Sequence, residues 1–168
     1  MDPFLKTIRD VNRLCNSVRF KLAAIGSEVD FADMVGITVL EIVLPQLYEW
    51  VKENRSTLTT EAGLSELAAK KVEKAYEKYS SEIRAHLPCG GDESALNTAI
   101  SSLAQLFPPF GRKNGKFYGT YNEAELRREY RISHPDKFNR YFDFDLDGIK
   151  LKRSEVQGAL YTLSLIHI

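Results

Sequence analysis

Residues 31–44 form a segment that is apolar almost all round, and only three polar residues interrupt it. A helix of this length without a polar face has to be buried on most of its sides. Pro45 follows the segment. A proline cannot continue a helix without losing a backbone hydrogen bond, but it fits the first turn of a new one. We therefore predict a mainly helical domain with the helix over residues 31–44 as its core and a short helix over residues 46–53 after it.

A first helix precedes this segment, and it has two distinct faces. Its apolar residues recur at helical spacing, at Ile8, Val11, Cys15, Val18, Leu22 and Ile25. The opposite face carries Arg9, Arg13, Asn16 and Phe20. Two arginines one helical turn apart repel each other slightly, so this face suits an anionic partner, which is either a carboxylate or a phosphate. Gly26 and Ser27 predict the end of the helix, and Asp30 predicts the cap of the next one.

The middle of the chain predicts a loop and two more helices. Residues 55–63 are rich in serine, threonine and glycine, which is typical of a loop. Residues 65–85 are strongly charged around a narrow apolar stripe, so this helix packs on one side only. Asp92 or Ser94 caps a further helix that runs to about residue 106. The charged helix over residues 65–85 is the surface through which the chain could recruit a protein partner.

The last third of the chain adds two predicted β elements to the helices. Asn114-Gly115 tolerates the positive φ angles of a type I′ turn, which predicts a short β-hairpin near residues 110–119. Aromatic and acidic residues alternate over residues 142–146, as in a half-exposed strand. Helices are predicted over residues 121–131, from Pro135 and after Ser154. The aromatic residues of this region lie at spacings that favour core packing over nucleic-acid contact.

Composition excludes several classes of protein. The 168 residues suit one compact domain, and 23 basic residues balance 23 acidic ones. That balance gives no reason to predict binding to nucleic acid or to a membrane surface. Two cysteines are too few for a disulfide framework, and no signal peptide or membrane span is visible, so we predict a cytoplasmic protein.

The common ligand motifs are absent from the sequence. Gly111 and Gly115 enclose three residues, one fewer than a phosphate loop requires. Residues 143–148 imitate the start of a calcium loop, but Ser154 stands where the closing glutamate belongs. Three histidines without ligand spacing give no zinc site. We therefore predict that this chain alone binds no metal and no cofactor, and that it has no catalytic residues.

Two blocks of sequence resemble the C-terminal helical part of the KAP family of P-loop NTPases. In the first block, residues 9–16 read RDVNRLCN, residues 29–33 read VDFAD and residues 44–54 read LPQLYEWVKEN. In the second block, residues 106–108 read LFP, residues 126–132 read LRREYRI and residues 134–142 read HPDKFNRYF. The family has similar R-D-x-x-R-x-x-N, V-D-F-x-D, P-x-L-Y-x-W, L-F-P, R-R-x-x-R-I and H-P-x-x-F-x-R-Y-F runs in this order. The two blocks and the helices between them span most of the chain.

The resemblance implies the function of a larger protein. KAP proteins are thought to hydrolyse ATP with Mg²⁺, many are membrane-associated, and members occur in phage defence and in neuronal scaffolds. The Walker motifs would lie upstream of Met1, so this chain would be a fragment that supplies a helical, bundle-like lid over the nucleotide and would partner the upstream NTPase core. A stand-alone helical interaction module without nucleotide is the alternative.

Within that resemblance, Arg9 is the candidate residue for sensing the γ-phosphate, and Arg13 is the second candidate. The alternative is that both arginines pair with carboxylates such as Asp30 or Asp33 and hold two helices together. Residues 163–168 resemble a translated adapter read-through. We therefore assign the helical domain to residues 1–162 and leave the tail out of it.

Overall fold

The computed structural model describes residues 7–25, 28–59, 69–116 and 121–143, with the side chains of residues 69–72 excepted. Within these ranges the chain is helical and contains no strand, which confirms the prediction of a mainly helical fold. The α-helices are α1 (Ile8–Ile25), α2 (Phe31–Val43), α3 (Pro45–Glu53), α4 (Arg55–Thr59), α5 (Ala69–Ala85), α6 (Glu93–Leu106), α7 (Pro108–Lys113), α8 (Glu123–Arg128) and α9 (Pro135–Phe138). Two short 3₁₀ helices cover Pro88–Gly90 and Asn139–Tyr141.

Helix α2 packs against α1, α3 and α6, as expected of an apolar helix. The Asp30 side chain starts it by accepting the backbone N–H of Asp33 at 2.9 Å. Met34 and Ile37 are fully buried on its inner face. Pro45 opens α3 at a first-turn position, as the sequence predicted. No helix in the described ranges is both long and apolar enough to cross a membrane.

Helix α1 buries only the C-terminal half of the face that its apolar spacing predicted: Val18 is buried, and Leu22 and Ile25 pack against the core. The residues it buries are Leu14, Val18 and Lys21. Ile8, Val11 and Cys15 are exposed instead. Lys21 is 4% exposed because its Nζ pairs with Glu41 Oε2 of α2 at 2.5 Å. The helix has two adjacent apolar edges, and its crossing with α2 decides which one is covered.

The predicted loop over residues 55–63 begins with a helix. Arg55–Thr59 forms α4, which contacts α7 and α9. Its Leu58 is fully buried, and Thr59 Oγ1 donates a hydrogen bond to Arg55 O at 2.9 Å. Burial of one leucine here overrides the weak helix propensity of serine and threonine. Residues 60–63 lie outside the described residues.

The hairpin predicted near residues 110–119 is wrong over the part that the structure describes. Pro108–Lys113 forms α7, and Asn114 caps its C-terminus. Gly115 has φ = 64°, and the backbone N–H of Lys116 donates to Gly111 O at 2.9 Å. A helix end that closes this way needs one positive φ angle, which Gly115 supplies, so an Asn-Gly pair fits it as well as it fits a turn.

The strand predicted over residues 142–146 does not begin where expected. The backbone N–H of Phe142 and that of Asp143 both donate to Asn139 O, which continues the preceding 3₁₀ helix. Phe142 packs against Phe138 at 4.8 Å and against Tyr48 at 5.6 Å between ring centroids. The rest of this strand, the calcium-like residues 145–148, the predicted last helix and the tail over residues 163–168 lie outside the described residues.

The aromatic residues near the C-terminal end of the described chain belong to the core. Phe107, Phe110, Phe138 and Tyr141 are each no more than 1% exposed. Of the aromatic residues whose spacing predicted core packing, Phe138 and Tyr141 are buried and Phe142 packs against the core, whereas Tyr130 is 39% exposed. Residues 117, 118 and 144 lie outside the described residues. The cations around them are paired: Arg127 lies 3.5 Å from Asp136, and Arg140 lies 3.0 Å from Glu28.

Candidate functional site

The two candidate arginines lie one turn apart on α1, and both are exposed. Neither makes an ion pair with any residue that the structure describes. Neither arginine pairs with Asp30 or Asp33 among the described contacts. Asp30 caps α2, and Asp33 is bound to Arg131.

Arg13, but not Arg9, lines a cavity of about 580 Å³ between α1, the end of α2 and the segment that leads into α6. The cavity residues are Asp10, Arg13, Ile42, Val43, Leu44, Leu87, Pro88, Cys89, Gly91, Asp92 and Ala95. Cys89 is an exposed free thiol within the 3₁₀ helix Pro88–Gly90, and its φ angle is 54°. The structure thus separates the two arginines: one borders this cavity and the other lies outside it.

The charges around this cavity do not favour an anion inside it. Asp10 accepts hydrogen bonds from Thr7 N at 3.0 Å and Thr7 Oγ1 at 2.8 Å. Asp92 accepts from Ala95 N at 2.7 Å and caps α6. Two carboxylates therefore share the cavity wall with the single guanidinium of Arg13. Among the described lining residues, the acidic side chains thus outnumber the basic one.

A buried ion pair joins the start of α2 to the segment between α8 and α9. Arg131 Nε donates to Asp33 Oδ2 at 2.7 Å, and Arg131 Nη2 donates to Asp33 Oδ1 at 2.9 Å. The backbone N–H of Ile132 donates to Asp33 Oδ2 at 2.9 Å. The Asp33 side chain is 2% exposed and that of Arg131 is 28% exposed. This bidentate geometry is the strongest form of an arginine–carboxylate contact.

The ionisation of this pair follows from its donors. Burial raises the pKa of the Asp33 carboxyl, and the hydrogen bonds from Arg131 and Ile132 oppose that rise. The hydrogen bond to Asp33 raises the pKa of Arg131 above its ordinary value. We take the pair as charged at neutral pH, because three N–H groups donate to the carboxylate. A protonated carboxyl group would leave one of these N–H groups without a good acceptor.

Tyr141 makes a second bridge beside this pair. Its hydroxyl accepts the backbone N–H of Asp30 at 2.8 Å and donates to Tyr130 O at 2.7 Å. Tyr130 has φ = 57°, an uncommon value for a residue with a side chain. Burial raises the pKa of the Tyr141 hydroxyl, so it stays protonated and can keep donating. Tyr141 therefore provides a hydrogen-bond partner for the backbone N–H of Asp30, the N-cap residue of α2, and for the backbone carbonyl of Tyr130, which follows α8.

Sequence reasoning missed the pairing of Asp33 with Arg131. One signal was available: Asp33 is an acid in the first turn of an otherwise apolar helix, and a buried acid needs a partner. The identity of that partner was not available, because Arg131 lies 98 residues further along the chain. Among the described residues, no group of three or more histidine, cysteine, aspartate or glutamate side chains could hold a metal ion.

Comparisons with models of known protein families, with curated proteins and with solved structures found no match to this chain.

Proposed function

We propose that this chain is the C-terminal helical part of a KAP-type P-loop NTPase. In this proposal it forms the lid over a nucleotide that the upstream core holds with Mg²⁺, and it performs no catalysis alone. Arg9 approaches the γ-phosphate from the start of α1, with Arg13 as the second candidate. The charge that develops on the transferred phosphoryl group would be stabilised by such a guanidinium.

The observation that carries this proposal is that Arg9 and Arg13 are exposed and have no described ion-pair partner. Both are exposed on α1, and neither is neutralised by a described carboxylate. An arginine that already served a structural ion pair would have to break it before binding phosphate. Arg9 and Arg13 would not, so their side chains are available to an anion supplied by another domain.

The Asp33–Arg131 pair supports the resemblance on which the proposal rests. Asp33 belongs to the V-D-F-x-D run and Arg131 to the R-R-x-x-R-I run. The two runs are far apart in sequence, and their charged residues are in direct contact. A bidentate buried pair constrains both residue types at once, which gives a physical reason for the two runs to occur together.

The decisive experiment starts from the DNA that encodes this chain. We expect the reading frame upstream of Met1 to encode G-x-x-x-x-G-K-[ST] after an apolar strand. The extended protein is then assayed for ATPase activity as Arg9→Ala and Arg13→Ala variants. Arg19→Ala is the matched control, because Arg19 is also exposed on α1. We expect Arg9→Ala to lower kcat by roughly 10³-fold, and Arg19→Ala to leave kcat unchanged.

Three outcomes would contradict the proposal. An upstream stop codon without the motif would remove the nucleotide site. Equal losses in the Arg9 and Arg19 variants would make the effect a general one of surface charge. Calorimetry on this chain alone should detect no ATP binding, and a micromolar constant would place the nucleotide site within residues 1–168.

A helical interaction module without nucleotide remains the second candidate, and exposed apolar side chains favour it. Ile8 is 82% exposed, Phe31 is 63% exposed and Phe20 is 45% exposed. Large apolar side chains that are exposed to solvent are surface that a protein partner could remove from water. This module would recruit its partner through the charged helix predicted over residues 65–85, and the exposed side chains of α1 and of the start of α2 would add a second contact surface. The stop codon described above would favour it over the NTPase proposal.

A further inference from the structure

A second cavity, with a volume of about 370 Å³, lies along α2 between this helix and α6. Its lining residues are Ala32, Asp33, Gly36, Val39, Leu40, Val43, Leu44, Ser102, Gln105, Leu106 and Arg131. The volume lies within the range of small-molecule sites, and a mostly apolar wall with a few polar groups is their usual composition. Neither Arg9 nor Arg13 lines this cavity.

The floor of this cavity is an apolar line along α2. Gly36, Val39 and Val43 are spaced by three and four residues and share one side of the helix. All three are only half-buried, although α2 is the most apolar long helix in the described chain. The absence of a side chain at Gly36 lets Leu106 pack directly on α2, since a Cβ at this position would lie 2.7 Å from Leu106 Cδ2. An apolar group that covered this line would remove its surface from water.

Arg131 lines this cavity and has hydrogen-bond donors that no described residue uses. Asp33 takes the Nε–H group and one N–H of Nη2. The Nη1 group makes no hydrogen bond to any described residue, and the side chain is 28% exposed. Both Asp33 oxygens already accept hydrogen bonds, so the free edge of the guanidinium is the polar feature offered to a ligand. A planar carboxylate fits that edge.

The α6 wall of the cavity adds uncharged polar groups. Ser102 and Gln105 lie three residues apart on the same face of α6, and Gln105 is at the exposed rim. Asp33 is the only carboxylate among the described lining residues, and Arg131 neutralises it. The cavity beside Arg13 differs, because it has two carboxylates and one guanidinium. An anionic head group therefore meets less repulsion in the α2–α6 cavity.

We propose that the α2–α6 cavity binds a small amphipathic carboxylate. The head group accepts hydrogen bonds from the free edge of Arg131 and from the Ser102 and Gln105 side chains. The aliphatic tail lies along Gly36, Val39 and Val43. Binding adds a second acceptor to Arg131 without breaking its pair with Asp33, so the fold is unchanged when the site is filled.

The test uses octanoate as the probe, with octan-1-ol and octylamine as matched compounds of the same tail length. The full chain is titrated with each compound by calorimetry and by ¹⁵N NMR. We expect octanoate to bind about tenfold more tightly than octan-1-ol, since charge-assisted hydrogen bonds are about twice as strong as neutral ones. Shifts of NMR signals should concentrate on α2 residues 36–43 and on α6 residues 102–106.

A charge-matched pair of variants locates the head group. Gln105→Glu places a carboxylate at the rim, whereas Gln46→Glu places the same charge on an exposed position of α3 outside the cavity. We expect Gln105→Glu to weaken octanoate binding by about three- to tenfold and Gln46→Glu to leave it unchanged. Equal effects of the two variants, equal affinity for octanoate and octan-1-ol, or no octanoate binding at millimolar concentration would each overturn the proposal.

Discussion

Asp33 shows at the residue scale how burial and charge are balanced in this protein. Its carboxylate is almost fully enclosed, and it accepts hydrogen bonds from Arg131 and Ile132. Arg131 keeps access to solvent along one edge. The two partners are therefore not equivalent, because a charge stranded in the interior costs more than one that can still reach water.

This asymmetry predicts that replacing Arg131 and replacing Asp33 lower the free energy of unfolding by different amounts. Arg131→Met leaves the buried Asp33 carboxylate with only the Ile132 N–H, and we expect a loss of about 3–5 kcal/mol in the free energy of unfolding. Asp33→Asn retains an acceptor for Ile132 and lets Arg131 turn to solvent, so we expect a loss of about 1–3 kcal/mol. Urea denaturation measures both. Equal losses, or a larger loss for Asp33→Asn, would contradict the asymmetry.

At the element scale, α1 has two apolar edges and buries only one of them. Leu14 and Val18 face α2, and the aliphatic stem of Lys21 accompanies them while its ammonium group pairs with Glu41. Val11 lies nearby on the same helix and is 43% exposed. The hydrophobic spacing of the sequence includes Val11 but omits Leu14, so a comparison of these two residues tests the observed packing.

Truncation of the two side chains should have unequal effects. Leu14→Ala removes buried methyl groups and should lower the free energy of unfolding by about 2 kcal/mol, near the lower end for such changes, because Leu14 lies at the edge of the core. Val11→Ala should change it by less than about 0.5 kcal/mol, as is usual at exposed positions. Thermal and urea unfolding of both variants give the comparison. A greater loss for Val11→Ala would favour the face that the sequence predicted.

At the scale of the whole molecule, stability should fall at alkaline pH. Burial raises the pKa values of Tyr48 and Tyr141 above the ordinary tyrosine value of about 10. Above that pH the unfolded chain releases these protons and the folded chain retains them. The contribution of both tyrosines is therefore fully present below about pH 10 and is lost as the pH rises further.

Tyr141→Phe isolates this effect. The variant loses the hydrogen bonds to Asp30 N and Tyr130 O, so it should be less stable than the parent chain by about 1–3 kcal/mol at pH 7. Its stability should then fall less steeply than that of the parent between pH 9 and 11, about one unit on either side of an ordinary tyrosine pKa. Comparing the two proteins cancels other titrations, including that of Lys113, whose pKa burial lowers. Parallel pH curves would show that Tyr141 does not carry the alkaline loss.

The sequence by itself determined the features that depend on neighbouring residues. Its apolar run located α2, Asp30 and Asp92 capped the helices that they were predicted to cap, and Pro45 opened α3. These signals act within one or two helical turns, so a local pattern is sufficient to predict them.

Only the tertiary structure decided which apolar edge of α1 is buried, that Asn114-Gly115 ends a helix, and that Asp33 binds Arg131. Each local pattern permitted more than one outcome, and the choice was made by contacts with distant parts of the chain. Burial against α2 selected the face of α1, and burial of Asp33 demanded a cation that lies 98 residues away. Local spacing cannot encode such partners, because they meet only when the helices pack.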